Sequence, residues 1–172
     1  MYLSTICYIE KDDKYLMLLR NKKKNDMNEG KYLGVGGKFE PGESPEECIC
    51  REVFEETGLT LTSFVMRGVM SFSSVGYEDE YIFVFTADGY TGELTDCNEG
   101  ELKWVEKDRI LSLNLWEGDK TFLKMLIDGV PFFSMKVSYD KDELKEITVY
   151  TPDKKENVTG GQVPCHIIGD KK

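Results

Sequence analysis

The sequence predicts an α/β fold, a mixed β-sheet with helices laid against it, and three observations carry that reading. Several segments alternate apolar and polar residues, two others place apolar residues at helical spacing, and 172 residues suffice for one buried core but are few for two.

The elements follow in chain order. LSTICYIE and YLMLLR, joined by the turn KDDK, predict a two-stranded hairpin. Asn21 to Gly30 is a polar loop whose short basic cluster reads either as solvated chain or as a guide for anions. Ser44, Pro45 and Glu47 supply a capping hydroxyl, a proline at the first helical position and a glutamate three after the cap, and Gly58 supplies the stop, so a helix is predicted between them. Strands are expected at Leu61 to Ser73 and Glu80 to Ala87, joined by a turn around Gly76, and at Glu101 to Val105. Phe122, Leu123, Leu126 and Ile127 recur at helical spacing within Glu117 to Gly129, giving a second helix. PFFSMKVSYD and ELKEITVY predict a closing hairpin, so one domain is expected over residues 1–150. Residues 151–172 have few aliphatic side chains and several breakers, which predicts a mobile or loosely docked tail in which QVPCHII is the one candidate strand.

Composition narrows the function. Hydrophobic residues at 40% and charged residues at 31% are globular values, and YIFVF is far too short to span a membrane. MYLSTICYIEKDDK has neither the basic start nor the apolar block of a signal peptide, so a cytoplasmic protein is expected. Five scattered cysteines read as reduced thiols, and His166 is the only histidine, which leaves no zinc cluster. A formal net charge of -10 disfavours a nucleic-acid polymer lying across the surface. A small phosphorylated substrate would then need a metal ion as intermediary.

The stretch GGKFEPGESPEECICREVFEETGL holds seven glutamates against two basic side chains, Lys38 and Arg51. On a helical wheel at about 100° per residue, Ile49, Cys50, Val53, Phe54 and Thr57 fall within an arc of roughly 140°, the expected core face. Glu52, Glu55 and Glu56 fall within roughly 100° on the other side. An acidic helix face is ordinarily a solvated one, but like charges at this spacing repel by a few tenths of a kcal/mol per pair, so a helix with no ion to hold would gain nothing from them. Arg51, four before Glu55, can clamp one acid and leave Glu52 and Glu56 to present oxygen to a hard divalent cation, Mg²⁺ or Mn²⁺.

Gly37, Glu43, Arg51-Glu52-Val53, Glu55-Glu56 and Gly58-Leu59 stand at the spacing of the Nudix box, and at about 7% per fixed position a chance match is on the order of one in a billion per window. The stretch resembles the strand-loop-helix of a Nudix hydrolase. The resemblance implies the Nudix fold, an α-β-α sandwich around a mixed sheet, and glutamates that hold Mg²⁺ on a nucleoside diphosphate linked to another group. GKYLGVGGK, FSS, NEGELKWV, LNLWEGDKTF and PFFSMKV extend it to the MutT-like 8-oxo-dGTP diphosphatases. Carried over, Glu52 and Glu56 are the main metal ligands, Glu55 assists, Gly36 or Gly37 gives a carbonyl, and Glu99 completes the set, with Glu101 as its competitor. Arg20 and Lys38 each follow a predicted strand beside the acidic patch and are candidate phosphate contacts, with surface salt bridging as the alternative. Glu43 and Arg51 orient the loop and the acids.

For the base, the resemblance points to Leu33, Phe72, Trp116 and Asp119. Phe72 and Trp116 would serve equally as core residues, and Asp119 as a first-turn acid of its helix. The best-known animal member of the subgroup has a purine-binding asparagine where this chain has Leu33, which cannot read a base edge. The expected activity is hydrolysis of a purine nucleoside triphosphate, an oxidised one such as 8-oxo-dGTP included, to monophosphate and pyrophosphate, by a monomer or homodimer. Other nucleoside diphosphate derivatives (ADP-ribose, a dinucleoside polyphosphate, capped RNA) and a binding-only module are the alternatives.

Overall fold

The computed structural model describes residues 1–22, 27–152 and 154–157. Part of the basic cluster near Asn21, and Cys165, His166 and the rest of QVPCHII, lie outside the described residues. The predicted first hairpin is β1 (Tyr2–Lys11) and β2 (Lys14–Leu19), closed by Asp12 and Asp13 at φ 49 and 60, the left-handed geometry that fits a tight two-residue turn to strand twist. The ladder is short, pairing only Glu10 with Tyr15 and Lys11 with Lys14. Beyond it β2 turns to β3 (Tyr32–Leu33) and β6 (Glu101–Glu106), while β1 runs parallel to β5 (Glu80–Thr91) from Tyr2↔Glu80 to Ile9↔Ala87. Between the diverging strands, isolated bridges Cys7↔Val35 and Ser4↔Lys38 lay residues 35–38 along β1.

From β5 the sheet continues through β4 (Thr60–Ser74) and, in parallel, β7 (Phe133–Asp140) to β8 (Glu143–Thr151). It is mixed, as predicted, and it extends past the expected boundary: β9 (Lys154–Asn157) pairs with β8, so the first residues of the expected tail add an edge strand.

α1 (Pro45–Thr57) has the predicted ends. Ser44 accepts from the Glu47 amide, Glu47 accepts from the Ser44 amide, and Gly58 sits at φ 76 with its amide donating to Phe54 O. The short α2 (Lys107–Ile110) has no capping signal and was not expected, and α3 (Glu117–Ile127) is the predicted second helix. Alternation along the strands separates two cores. Cys7, Ile9 and Phe85 pack with Ile49 and Val53 of α1, whereas Tyr8 and Val84 pack with Phe122 and Leu123 of α3. α1 and α3 therefore cover opposite faces, the α-β-α order.

The wheel reading of α1 needs two corrections. Phe54, expected in the core, is 57% exposed, and Glu56, placed by the wheel opposite the core face, is buried at 9%. The helix is rolled toward β1 and the 35–38 segment, so Cys48 faces Thr5 while Glu56 faces the Gly36 amide.

Ser44→Ala removes the acceptor for one helix-start amide and should lower unfolding stability by about 1 kcal/mol in urea titration. An unchanged midpoint would show that the capping hydroxyl contributes nothing.

Candidate active site

The cleft forms where β1 and β2 part. Gly36 and Gly37 are glycines because both sides are occupied: a Cβ on Gly36 would lie 2.9 Å from Ile6 Cα, and one on Gly37 would lie 2.5 Å from the Glu52 carboxyl. Thr5 N donates to Gly37 O at 2.8 Å, tying the loop to β1, and Gly36 N donates to Glu56 Oε2 at 3.0 Å, tying it to α1. Of the two candidate carbonyls, that of Gly37 thus already accepts from backbone.

Arg51 is the hub of the acids. Its Nε and Nη2 grip both oxygens of Glu43 at 2.6 and 2.9 Å, Nη1 donates to Glu52 at 2.7 Å and to Glu55 at 3.3 Å, and Nη2 also holds Lys38 O at 3.0 Å. The Arg51 fork, helped by the Glu40 amide, holds the Glu43 carboxyl down at about 2. Hydrogen bonding to Glu43 raises Arg51 in turn, so this pair is charged throughout the working pH range. The predicted Arg51–Glu55 clamp is present, but Arg51 also grips Glu52.

Glu52 and Glu56 line the cleft; Glu55 does not, and its side chain is 57% exposed. Glu99 lines it too, paired with Arg20. The loop reaches that position because Gly100 passes against the Leu19 backbone, where a Cβ would come within 2.8 Å of Leu19 C. Glu101 instead bonds Asn21 and Lys103 on the outside, which lower its carboxyl. Lys38 lines the cleft with its Nζ 4.0 Å from the centre of the Tyr2 ring.

Leu33, Phe72, Trp116 and Asp119 share the same cleft, which has a volume of about 480 Å³, within the range of small-molecule sites. Tyr139 organises their wall. Its ring lies 5.7 Å from Phe72 and 5.6 Å from Trp116, and its hydroxyl accepts from Gly118 N at 2.8 Å, fixing the start of α3. Trp116 Nε1 donates to Asn28 Oδ1, and Lys31 Nζ stands 4.9 Å over the indole. Sequence reasoning missed Tyr139, Asn28, Lys31 and Glu80. Only Tyr139 left a trace, since it continues the inward alternation Phe133, Met135, Val137.

Among the described residues no three carboxylate, thiol or imidazole side chains form a ready-made metal cluster. Arg51, the Gly36 amide and Arg20 each hold one of Glu52, Glu56 and Glu99. The donor set still fits a hard cation, because it is all oxygen. Burial pushes the Cys7, Cys48, Cys50 and Cys97 thiols up, so none is a ready thiolate ligand or nucleophile.

An α/β sandwich that carries an acidic loop and helix into such a cleft is the Nudix architecture, and the chain belongs to the Nudix family, residues 2–126 matching the NUDIX domain. It is 32% identical over 132 residues to the uncharacterized Nudix hydrolase YvcI of Bacillus subtilis, spanning 73% of this chain and 78% of that one. To the oxidized purine nucleoside triphosphate hydrolase of Mus musculus it is 30% identical over 128 residues, 74% of this chain and 82% of the relative. The mutator MutT protein structure from Bacillus halodurans superposes with a TM-score of 0.78 at 29% identity, covering 87% of this chain and 97% of that one. No helix among the described residues is long and apolar enough to cross a membrane.

Burial pushes the Asp119 carboxyl up to about 7, with Lys31 pulling it down and Glu80 adding to the rise. The folded protein then keeps a proton that the unfolded chain releases near pH 4, so this contribution to stability is complete below pH 4 and declines up to pH 7. Asp119→Asn should flatten the fall of thermal midpoint between pH 4 and 7; identical slopes for parent and variant would show that Asp119 titrates as an ordinary carboxylate.

Proposed function

We propose that the protein hydrolyses purine nucleoside triphosphates, oxidised ones such as 8-oxo-dGTP among them, to monophosphate and pyrophosphate. The observation that carries this reading is one continuous cleft in which the acids of the loop and α1 meet an aromatic pocket ending in Asp119. The similarity to an oxidized purine nucleoside triphosphate hydrolase supports it.

Glu52, Glu56 and Glu99, with a carbonyl of the Gly36–Gly37 pair, would hold Mg²⁺ or Mn²⁺, and Glu55 would assist from the rim. The bound ion supplies neutralisation of phosphate charge and a lowered pKa for coordinated water. Arg20 and Lys38 take phosphate oxygens, the first as a fork and the second as a point charge. Glu43 and Arg51 keep Glu52 in register. A cleft glutamate accepts the proton of the water that attacks phosphorus, and pyrophosphate leaves as the P–O bond breaks. Phe72 and Trp116 flank the base, Leu33 closes one side by contact alone, and Asp119 in its ionised form accepts from the N1 and exocyclic amino donors of a guanine.

Product analysis on a nucleotide panel, with and without Mg²⁺, tests the whole reading. Pyrophosphate and monophosphate from purine triphosphates, abolished by chelation, are expected. Preferential cleavage of ADP-ribose, a dinucleoside polyphosphate or capped RNA, or tight binding without turnover, would overturn it.

Glu56→Gln preserves the acceptor for the Gly36 amide and removes the charge. Turnover should fall at least about a hundredfold with the unfolding midpoint nearly unchanged. A rate within threefold of the parent would remove Glu56 from the metal set.

A further inference from the structure

The base pocket contains a second carboxyl that no box position accounts for. Glu80 opens β5 directly across from Tyr2 of β1, and Tyr2, Ser4, Glu80 and Ile82 line the cleft from adjacent strands on one sheet face. Tyr2 Oη donates to Glu80 Oε2 at 2.8 Å and Ser4 Oγ donates to Oε1 at 2.5 Å. Burial, then the bond to Glu80, raises the Tyr2 hydroxyl, which therefore stays a donor. No lysine or arginine among the described residues forms an ion pair with Glu80. A carboxylate has about four acceptor sites, so with one hydroxyl on each oxygen it is held in place and still able to accept. Glu80 and Asp119 both line this one cleft, from β5 and α3.

A role as a mere staple between β1 and β5 explains little. Eight consecutive residue pairs already join those strands. A second acid in a cleft that already holds Asp119, and that Ile6, Met70, Phe72 and Ile82 also line, carries a desolvation and repulsive cost that an apolar residue would avoid.

We infer that Glu80, oriented by Tyr2 and Ser4, is a second base-reading acceptor that selects purines bearing an N–H donor beyond the pair taken by Asp119. This rests on the purine nucleotide reading above. Guanine offers a lone pair at N7 and O6, which a carboxylate oxygen repels. Oxidation at C8 turns N7 into an N–H donor, so the same carboxylate changes from repulsive to attractive. That supplies discrimination where Leu33 cannot, because a site built around a hydrogen bond rejects the analogue lacking the donor.

The test compares kcat/KM for 8-oxo-dGTP and dGTP in the full chain, alongside calorimetric binding of 8-oxo-dGMP and dGMP. The parent should favour the oxidised base in both measurements. Glu80→Gln and Glu80→Ala should each lower that preference at least tenfold, and Tyr2→Phe, which keeps the carboxylate but frees one oxygen, should lower it by a smaller factor. If Glu80→Ala fails to unfold cooperatively, Glu80→Gln and Tyr2→Phe decide the matter. A preference unchanged within twofold in the variants, an equal loss for both bases, or a parent without preference would overturn the inference while leaving purine triphosphate hydrolysis standing. A parent that neither cleaves purine triphosphates nor binds either monophosphate would overturn the functional reading and this inference with it.

Discussion

Everything in the cleft depends on how closely the Gly36–Gly37 backbone runs between β1 and α1. On one side the Thr5 amide reaches Gly37 O and the β1 backbone stands where a Gly36 side chain would be; on the other the Glu52 carboxyl fills the place of a Gly37 side chain and Glu56 accepts from the Gly36 amide. A Cβ at Gly36 would push the loop off β1, and one at Gly37 would displace the Glu52 carboxyl. The approach in turn needs the gap between β1 and β2, which exists because their ladder ends two pairs from the turn. Strand divergence, the glycine pair and the capped helix therefore form one construction, and the roll that buries Glu56 and exposes Phe54 follows from it.

Electrostatics then sets the arrangement of the acids. Three carboxylates of one motif converge on the single guanidinium of Arg51, and only Glu43 receives the two-point grip. Glu43 is thereby fixed as a permanent anion that anchors Arg51, and Arg51 holds Glu52 at the cleft wall. The outer acid, Glu55, receives the longest of these bonds and stays largely in water, where charge is cheap to keep. In a chain of net charge -10, the cleft's cations are placed on either side of its acids: Arg20 beside Glu99 and Lys38 against Tyr2.

Much of this was legible because it is written in local rules. A capping box, a proline at the first turn, a left-handed glycine stop and period-two strands depend on neighbours in sequence, and α1, β4, β5 and α3 stand within a few residues of their expected bounds. Which face of α1 is covered depends instead on what is brought against it, so the wheel misplaced Phe54 and Glu56. Tertiary placement likewise distinguishes Glu99 from Glu101. Two positions of a polar loop look alike in sequence, but the passage of Gly100 against Leu19 turns one into the cleft and leaves the other to Asn21 and Lys103. Strand β9 was hidden by the composition of its own segment, since KKEN carries no apolar pattern and is held by main-chain pairing to β8.

The pocket for the base shows the same division at finer scale. Leu33, Phe72, Trp116 and Asp119 come together as the resemblance implied, yet their spacing is set by Tyr139, which touches Phe72 and Trp116 and caps the start of α3 from a strand over twenty residues beyond Trp116. The residues proposed to hold metal come from the loop, α1 and the Glu99 turn, whereas Tyr2 and Ser4, Glu80, and Asp119 come from β1, β5 and α3. Those elements carry no box residue, so the base reading can change through them without disturbing Arg51 and its acids. A close relative could therefore keep the whole motif and read a different nucleotide, and in this chain the side chains proposed to decide the reading are Asp119, Glu80 and the two hydroxyls that hold Glu80 in place.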